Sequence, residues 1–493
     1  MIEKIKDDRF IKKLLIIFLA VQPFLDCYLL YTDSIINIFR FSPTTIIRFL
    51  IIGFLVLLVF FNKNNKKSRK WVILYGAFIL IYTVLHHLTT YNYDISKFAT
   101  FKYNFIAEIF YILRMMLPLL VIYITYTLKI TKEELIKLVL LVAFISSTII
   151  IGMNLLTISL TSYGGNYKIS GNIFSWFSAD KPGPRMLASK GWFNSANQIS
   201  GLFTLLLPLV VYSVFDKFNY KRLTVLIFCL LAMLMIGTRV AALGWLLILG
   251  GMLFAYVFFC IIKHLNFDKK AFLSTIIVGG FGGVLFIFSP LVNTNEGFNP
   301  NKLDAYLKEN KININDMTVE EFLPFSGINN EFYTELYPLN IHKPFWEYVS
   351  FDIPDTKRGG NRNVQGLISK DIESNFSNNF SPILGMSYSR FENAKIYLEE
   401  DFSVHYYTIG ILGIILFLIP YIAIIILKIC NMLFIDRKSF NYFSIGLLSS
   451  LSLTLVVAYL SGHIVDELIV SFYMAVIAGY ILQTIPKNFL NIN

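Results

Sequence analysis

Twelve apolar stretches recur along the chain, near residues 14–31, 43–61, 71–89, 106–128, 135–160, 198–215, 222–237, 240–262, 271–289, 404–427, 443–461 and 468–484, with charged breaks between them. A hydrocarbon core of about 30 Å is crossed by about 20 helical residues, and every backbone polar group inside it needs an internal partner. Runs of this length therefore predict an all-α polytopic membrane protein with about 12 transmembrane helices. The narrowest division is between the seventh and eighth runs, where only Gly237, Thr238 and Arg239 intervene. Composition agrees, since 15% charged residues is well below the roughly 25% of soluble domains. The first run follows MIEKIKDDRFIKK, lacks a small-residue cleavage site and precedes further spans, so it reads as a retained span. Cys27, Cys229, Cys260 and Cys430 all lie in or beside apolar runs, which argues against a disulfide framework or a thiolate zinc site.

Lysine and arginine set the orientation. With a cytoplasmic amino terminus, the inner loops hold 23 of them and the short outer loops 8, a positive-inside bias that places both termini in the cytoplasm. The chain then divides into residues 1–289, carrying spans one to nine with an outer loop at 161–197, an extracytoplasmic loop at 290–402, and residues 403–493 with the last three spans. The large loop carries 10 Lys and Arg against 17 Asp and Glu, so its net charge is −7 and the rest of a chain of charge +11 carries +18. The basic balance thus belongs to inner loops that face anionic lipid of the bilayer, and no nucleic-acid partner is expected. Within the loop, residues 303–325 read as one or two short helices and the Asn- and Gly-rich 355–366 as mobile. The aromatics of 161–197 suit interfacial anchoring, or a platform on which sugar rings stack.

A few charges fall inside or at the edge of the spans. An arginine near the bilayer centre costs about 2.5–3.5 kcal/mol on insertion scales, so it needs a partner, a route to the headgroups or a ligand. Arg48 has Asp26 as a candidate partner and Arg114 has Glu108; either could instead snorkel or bind an anion. Arg239 puts positive charge on the outer side, against the orientation rule, which favours anion binding through the fixed donors of a guanidinium. At the entry to the tenth span, Glu399, Glu400, Asp401 and His405 meet the apolar run. Asp401 and His405, four apart, share a helix face where the carboxylate would orient the imidazole, although acidic residues at a helix start also serve the helix dipole alone. Arginines suited to phosphate and carboxylates suited to taking a proton are what a transferase acting on a lipid-linked phosphate requires. An exporter or flippase is the alternative, and would more naturally carry its charges near the bilayer midplane.

Three stretches resemble the O-antigen ligase and polysaccharide polymerase superfamily: GWFNSANQISGLFTLLLPLVVY from Gly191, LLAMLMIGTRVAALGWLLILGG from Leu230, and EEDFSVHYYTIGILG with Gly410 and Gly413. The large loop between the ninth and tenth spans also fits that superfamily. The resemblance implies a glycosyltransferase that joins undecaprenyl-pyrophosphate-linked oligosaccharide donors to a sugar-polymer acceptor outside the cell membrane; because arginines can supply the positive charge, no divalent metal and no other cofactor is expected. The resemblance places Arg239 on the pyrophosphate and Glu399 and Asp401 at the catalytic position; joined to the charge reading above, the expectation is that Arg239, with Arg114 and Arg48, holds the pyrophosphate, that Trp192, Asn194 and Asn197 contact sugar, and that Glu399, Asp401 and His405 form the catalytic set. Counting back from Gly410, Glu399 stands where ligases carry a histidine and His405 is out of register, and Glu399 with Asp401 is similar to the polymerase-like branch.

Overall fold

The computed structural model describes residues 8–27, 43–62, 66–91, 101–163, 167–178, 182–293, 307–309, 317–326, 328–353, 361–398 and 400–486. The long helices, in order, are α1 (Asp8–Val21), α2 (Pro43–Phe61), α3 (Lys66–Tyr91), α4 (Phe105–Leu128), α5 (Lys132–Leu155), α6 (Ala196–Asp216), α7 (Tyr220–Ile236), α8 (Arg239–Ile262), α9 (Lys269–Phe288), α10 (Asn361–Phe376), α11 (Asp401–Phe417), α12 (Ile419–Cys430), α13 (Tyr442–Leu460) and α14 (Leu468–Thr484). Among the described residues there is no strand, only isolated bridges such as Cys27 to Phe193. Among the described residues nine segments are long and apolar enough to cross a membrane: α2 to α6, α8, α9, the α11–α12 run and α13. The remaining apolar runs are helical too, but α1, α7 and α14 extend for 14, 17 and 17 residues. The protein is an all-α, multi-pass membrane protein.

Local chemistry explains the boundaries. Helix α5 opens on a capping box, in which Thr131 Oγ1 accepts from Glu134 N at 3.2 Å and Glu134 Oε2 accepts from Thr131 N at 2.8 Å. The narrow division between α7 and α8 is a cap-to-cap turn. Gly237 takes the left-handed conformation (φ 68°) that ends α7, and Thr238 Oγ1 accepts from Ala241 N at 3.2 Å to start α8.

The chain forms two compact units. One comprises Met1–Ala77, Leu113–Thr294 and Phe417–Asn493, the other Phe78–Ile112 and Asn295–Leu416. The first is built around α6, which is buried from Gln198 to Phe215 and touched by α5, α7, α8, α13 and α14. Its hydroxyls return their protons to the helix, as Ser200 Oγ does to Ala196 O at 2.6 Å and Thr204 Oγ1 to Ser200 O at 2.9 Å, so these buried side chains leave no hydroxyl proton unpaired.

The second unit has its own apolar core, including Val319, Leu323, Tyr337, Trp346, Val349, Phe391 and Leu398. Helix α10 contributes Val364, Ile368 and Ile372, whose four-residue spacing places them on one face. That stripe explains why 361–366, read from its Asn and Gly content as mobile, is the first part of a helix. The run at 303–325 contains the short helix Val319–Phe322 within its described part, opened by a second capping box at Thr318 and Glu321.

Candidate active site

In the first unit three arginines meet three different environments. Arg48 is only 1% exposed. It donates to both carboxylate oxygens of Asp26, at 2.9 and 2.7 Å, to the backbone carbonyl of Gln22 at 2.8 Å, to the Gln22 side-chain oxygen at 3.1 and 3.2 Å and to Thr44 Oγ1 at 3.2 Å. Each of its nitrogens is engaged, and the fork on Asp26 is the strongest form of such a pair. The partner anticipated for Arg48 is thus the observed one, and these contacts leave no donor of Arg48 for a bound pyrophosphate.

Arg114 on α4 forms an ion pair with Glu467, Nη2 to Oε2 at 3.0 Å, in place of the anticipated Glu108. Glu467 occupies the cap position before α14. Burial holds its carboxyl above the ordinary value, against the attraction of Arg114, and Asp466 beside it pushes the same way.

Arg239 is exposed at the first position of α8, whose amino terminus adds the positive end of a helix dipole. Among the described residues no carboxylate lies within ion-pair distance of it. The turn beneath is rigid: Thr238 Oγ1 and Ser200 Oγ are 2.8 Å apart, and the Tyr163 hydroxyl donates to Gly237 O at 2.8 Å. Burial raises the pKa of Tyr163, and the positive charges of Arg185 and Arg239 both oppose the rise. Arg185, also exposed, lies 6.0 Å from the Tyr163 ring centroid. This second arginine was not singled out in the sequence, although the loop that carries it was read as an outer one, which made the same exception to the positive-inside pattern as Arg239.

The loop residues expected to touch sugar are close in sequence at the entrance to α6. Trp192 and Asn194 are exposed and Asn197 is half-buried. The Trp192 indole donates to Ile158 O at 3.1 Å and Lys190 Nζ to Asn194 O at 2.7 Å, while burial lowers the Lys190 pKa.

In the second unit Asp401 and His405 are 1% and 0% exposed. His405 Nδ1 bonds the backbone carbonyl of Asp401, which can only accept, so the carbonyl, where the carboxylate was expected, fixes the tautomer. Glu400 starts the helix, accepting from Val404 N at 2.9 Å and from Ser403 Oγ at 3.1 Å. Glu399 lies outside the described residues.

Helix α11 is broken where the apolar run had predicted a single span over 404–427. Gly410 has φ 68° and ψ −177°, and a Cβ there would stand 2.4 Å from Gly385 N, so the backbone of 383–385 crosses at the break. The carbonyls released by the break find other donors: Met386 N on Tyr407 O at 2.7 Å, Ser387 N on Thr408 O at 3.0 Å and the Tyr82 hydroxyl on Ile409 O at 2.7 Å. Unpaired groups are costly in an apolar setting, and these contacts remove that cost.

The sequence profile of the O-antigen ligase like membrane proteins matches residues 8–488. The chain belongs to this family. No curated protein matches it individually. As a family member it is a membrane enzyme of surface polysaccharide assembly, and the family implies a glycosyltransferase-like activity on lipid-linked saccharide.

Proposed function

We propose that the protein joins undecaprenyl-pyrophosphate-linked oligosaccharide repeats to a sugar-polymer acceptor at the outer face of the bacterial cell membrane, with both termini cytoplasmic. The observation that carries this reading is Arg239, an exposed guanidinium on a helix amino terminus whose preceding turn is braced by Tyr163, the ring that Arg185 also approaches, within a chain that matches the ligase family almost end to end. An acceptor hydroxyl attacks C1 of the donor sugar. The C1–O bond to phosphate breaks, the electron pair leaves with the undecaprenyl pyrophosphate, and the hydroxyl proton passes to Asp401, or to Glu399 in the same motif. Arg239 holds the leaving pyrophosphate, with Arg185 beside it and Arg114 as a further cation that exchanges Glu467 for phosphate. His405, fixed through Nδ1, orients the acceptor, and Trp192, Asn194 and Asn197 contact sugar. Negative charge develops on the leaving pyrophosphate in this transition state, and arginines can stabilise it without a divalent ion.

The test uses purified protein in nanodiscs with a lipid-linked repeat. The expected result is release of undecaprenyl pyrophosphate and a ladder of longer saccharides, unchanged by a chelator. A single repeat placed on a separate acceptor assigns the ligase branch. Intact donor moved across a sealed bilayer, or activity lost to chelator and restored by magnesium, would overturn the reading.

A further inference from the structure

The chain crossing the break in α11 is gripped from both sides. Residues 384–389 form a strap whose amides alternate in direction: Met386 N and Ser387 N donate to the broken helix, and the next two, Tyr388 N and Ser389 N, donate to Glu108 at 3.2 and 3.0 Å. Glu108 is 1% exposed on α4 and also accepts from the Ser387 hydroxyl. His86 on α3, fully buried, places Nε2 2.8 Å from Glu108 Oε1 and Nδ1 against the Leu384 carbonyl. That carbonyl can only accept, so Nδ1 carries a proton and the imidazole ties one end of the strap to the carboxylate that holds the other. Tyr111, one turn beyond Glu108, stacks on Tyr388 with ring centroids 3.9 Å apart.

The strap is strained. Ser387 has φ 87°, rare for a residue with a side chain, and Gly385 has φ 84° with a would-be Cβ 2.3 Å from Thr408 O. Such a backbone persists only where its surroundings over-determine it, and here Glu108 and His86 restrain it on one side and the broken helix on the other. The carbonyls the strap caps belong to Tyr407 and Thr408, two and three residues beyond His405. The strap therefore fixes the end of the half-helix that carries Asp401 and His405.

We propose that Glu108 and His86 are positioning residues for the transfer reaction, clamping the 384–389 strap so that it holds the Asp401–His405 half-helix in register. The proposal rests on the catalytic reading of that half-helix. Glu108→Gln replaces an acceptor of several N–H and O–H donors with an amide that presents donors of its own. In nanodiscs, kcat for transfer should fall about tenfold or more while KM for the lipid-linked donor stays within about twofold. Without substrate, hydrogen exchange of the 386–389 amides should rise about tenfold, with α6 unchanged. Should Glu108→Gln fail to fold, Ser387→Ala removes a single donor and should give about threefold changes in the same two quantities. Faster strap exchange with unchanged kcat would overturn the positioning role, and unchanged exchange would overturn the clamp. A wild-type protein that transfers nothing would instead sink the catalytic reading, and the two failures are told apart because exchange is measured without substrate.

Discussion

Arg48 and Arg239 both stand near the amino-terminal end of an apolar helix, and the protein treats them in opposite ways. Around Arg48 the chain closes: Asp26, Gln22 and Thr44 occupy the guanidinium, and the side chain is cut off from solvent. Around Arg239 the chain stays open, with Tyr163, Thr238 and Ser200 stiffening the turn while the charge remains exposed. A charge in an apolar run is thus not by itself a mark of function. What separates the two is whether the counter-charge is already inside the fold.

The largest expected effect sharpens that contrast directly. Arg239→Ala should lower kcat/KM for transfer by about 100- to 1,000-fold, the cost of removing one well-placed transition-state donor, with an unchanged thermal midpoint. Arg48→Ala should do the reverse. It leaves the half-buried Asp26 and the buried Gln22 without their partner and should destabilise the fold by about 2–4 kcal/mol, with activity per folded molecule within about twofold of wild type. A thermal scan beside a steady-state assay reads both, and an Arg48 variant that is stable but inactive would break the comparison. Arg185→Ala should cost about tenfold in kcat/KM, as loss of one charge-assisted contact. The smallest effect concerns Glu467, whose carboxyl is held above its ordinary value of 4.5. The folded protein binds the extra proton, so this contribution to stability is full below pH 4.5 and is lost as pH rises through the elevated value. The midpoint should decline across that window in wild type and flatten in Glu467→Gln; equal slopes in the two proteins would remove the explanation.

Much of the fold was legible in the sequence. The apolar runs at 43–61, 106–128 and 198–215 became α2, α4 and α6 with ends displaced by at most two residues, because hydropathy and capping are local properties. The pairing of Arg48 with Asp26 was also open to inference, since both lie near one end of neighbouring runs. Less of the candidate site could be read. The helix break at Gly410 is invisible in a run of apolar residues, since it exists only where 383–385 crosses it. Glu108 was a candidate partner for Arg114 because both are on one helix, yet Ser387 and Ser389, about 280 residues away, claim it.

By itself, then, the order of amino acids determined that this chain is a set of membrane helices with one polar insertion and arginines placed against the charge rule. Water and hydrocarbon sort residues by type, and that sorting needs no knowledge of neighbours. Only the tertiary structure decided which charges were spoken for. The partners of Arg114, Glu108 and His86 are fixed by distances across the fold, and a buried charge is stable only beside the group that the fold brings to it.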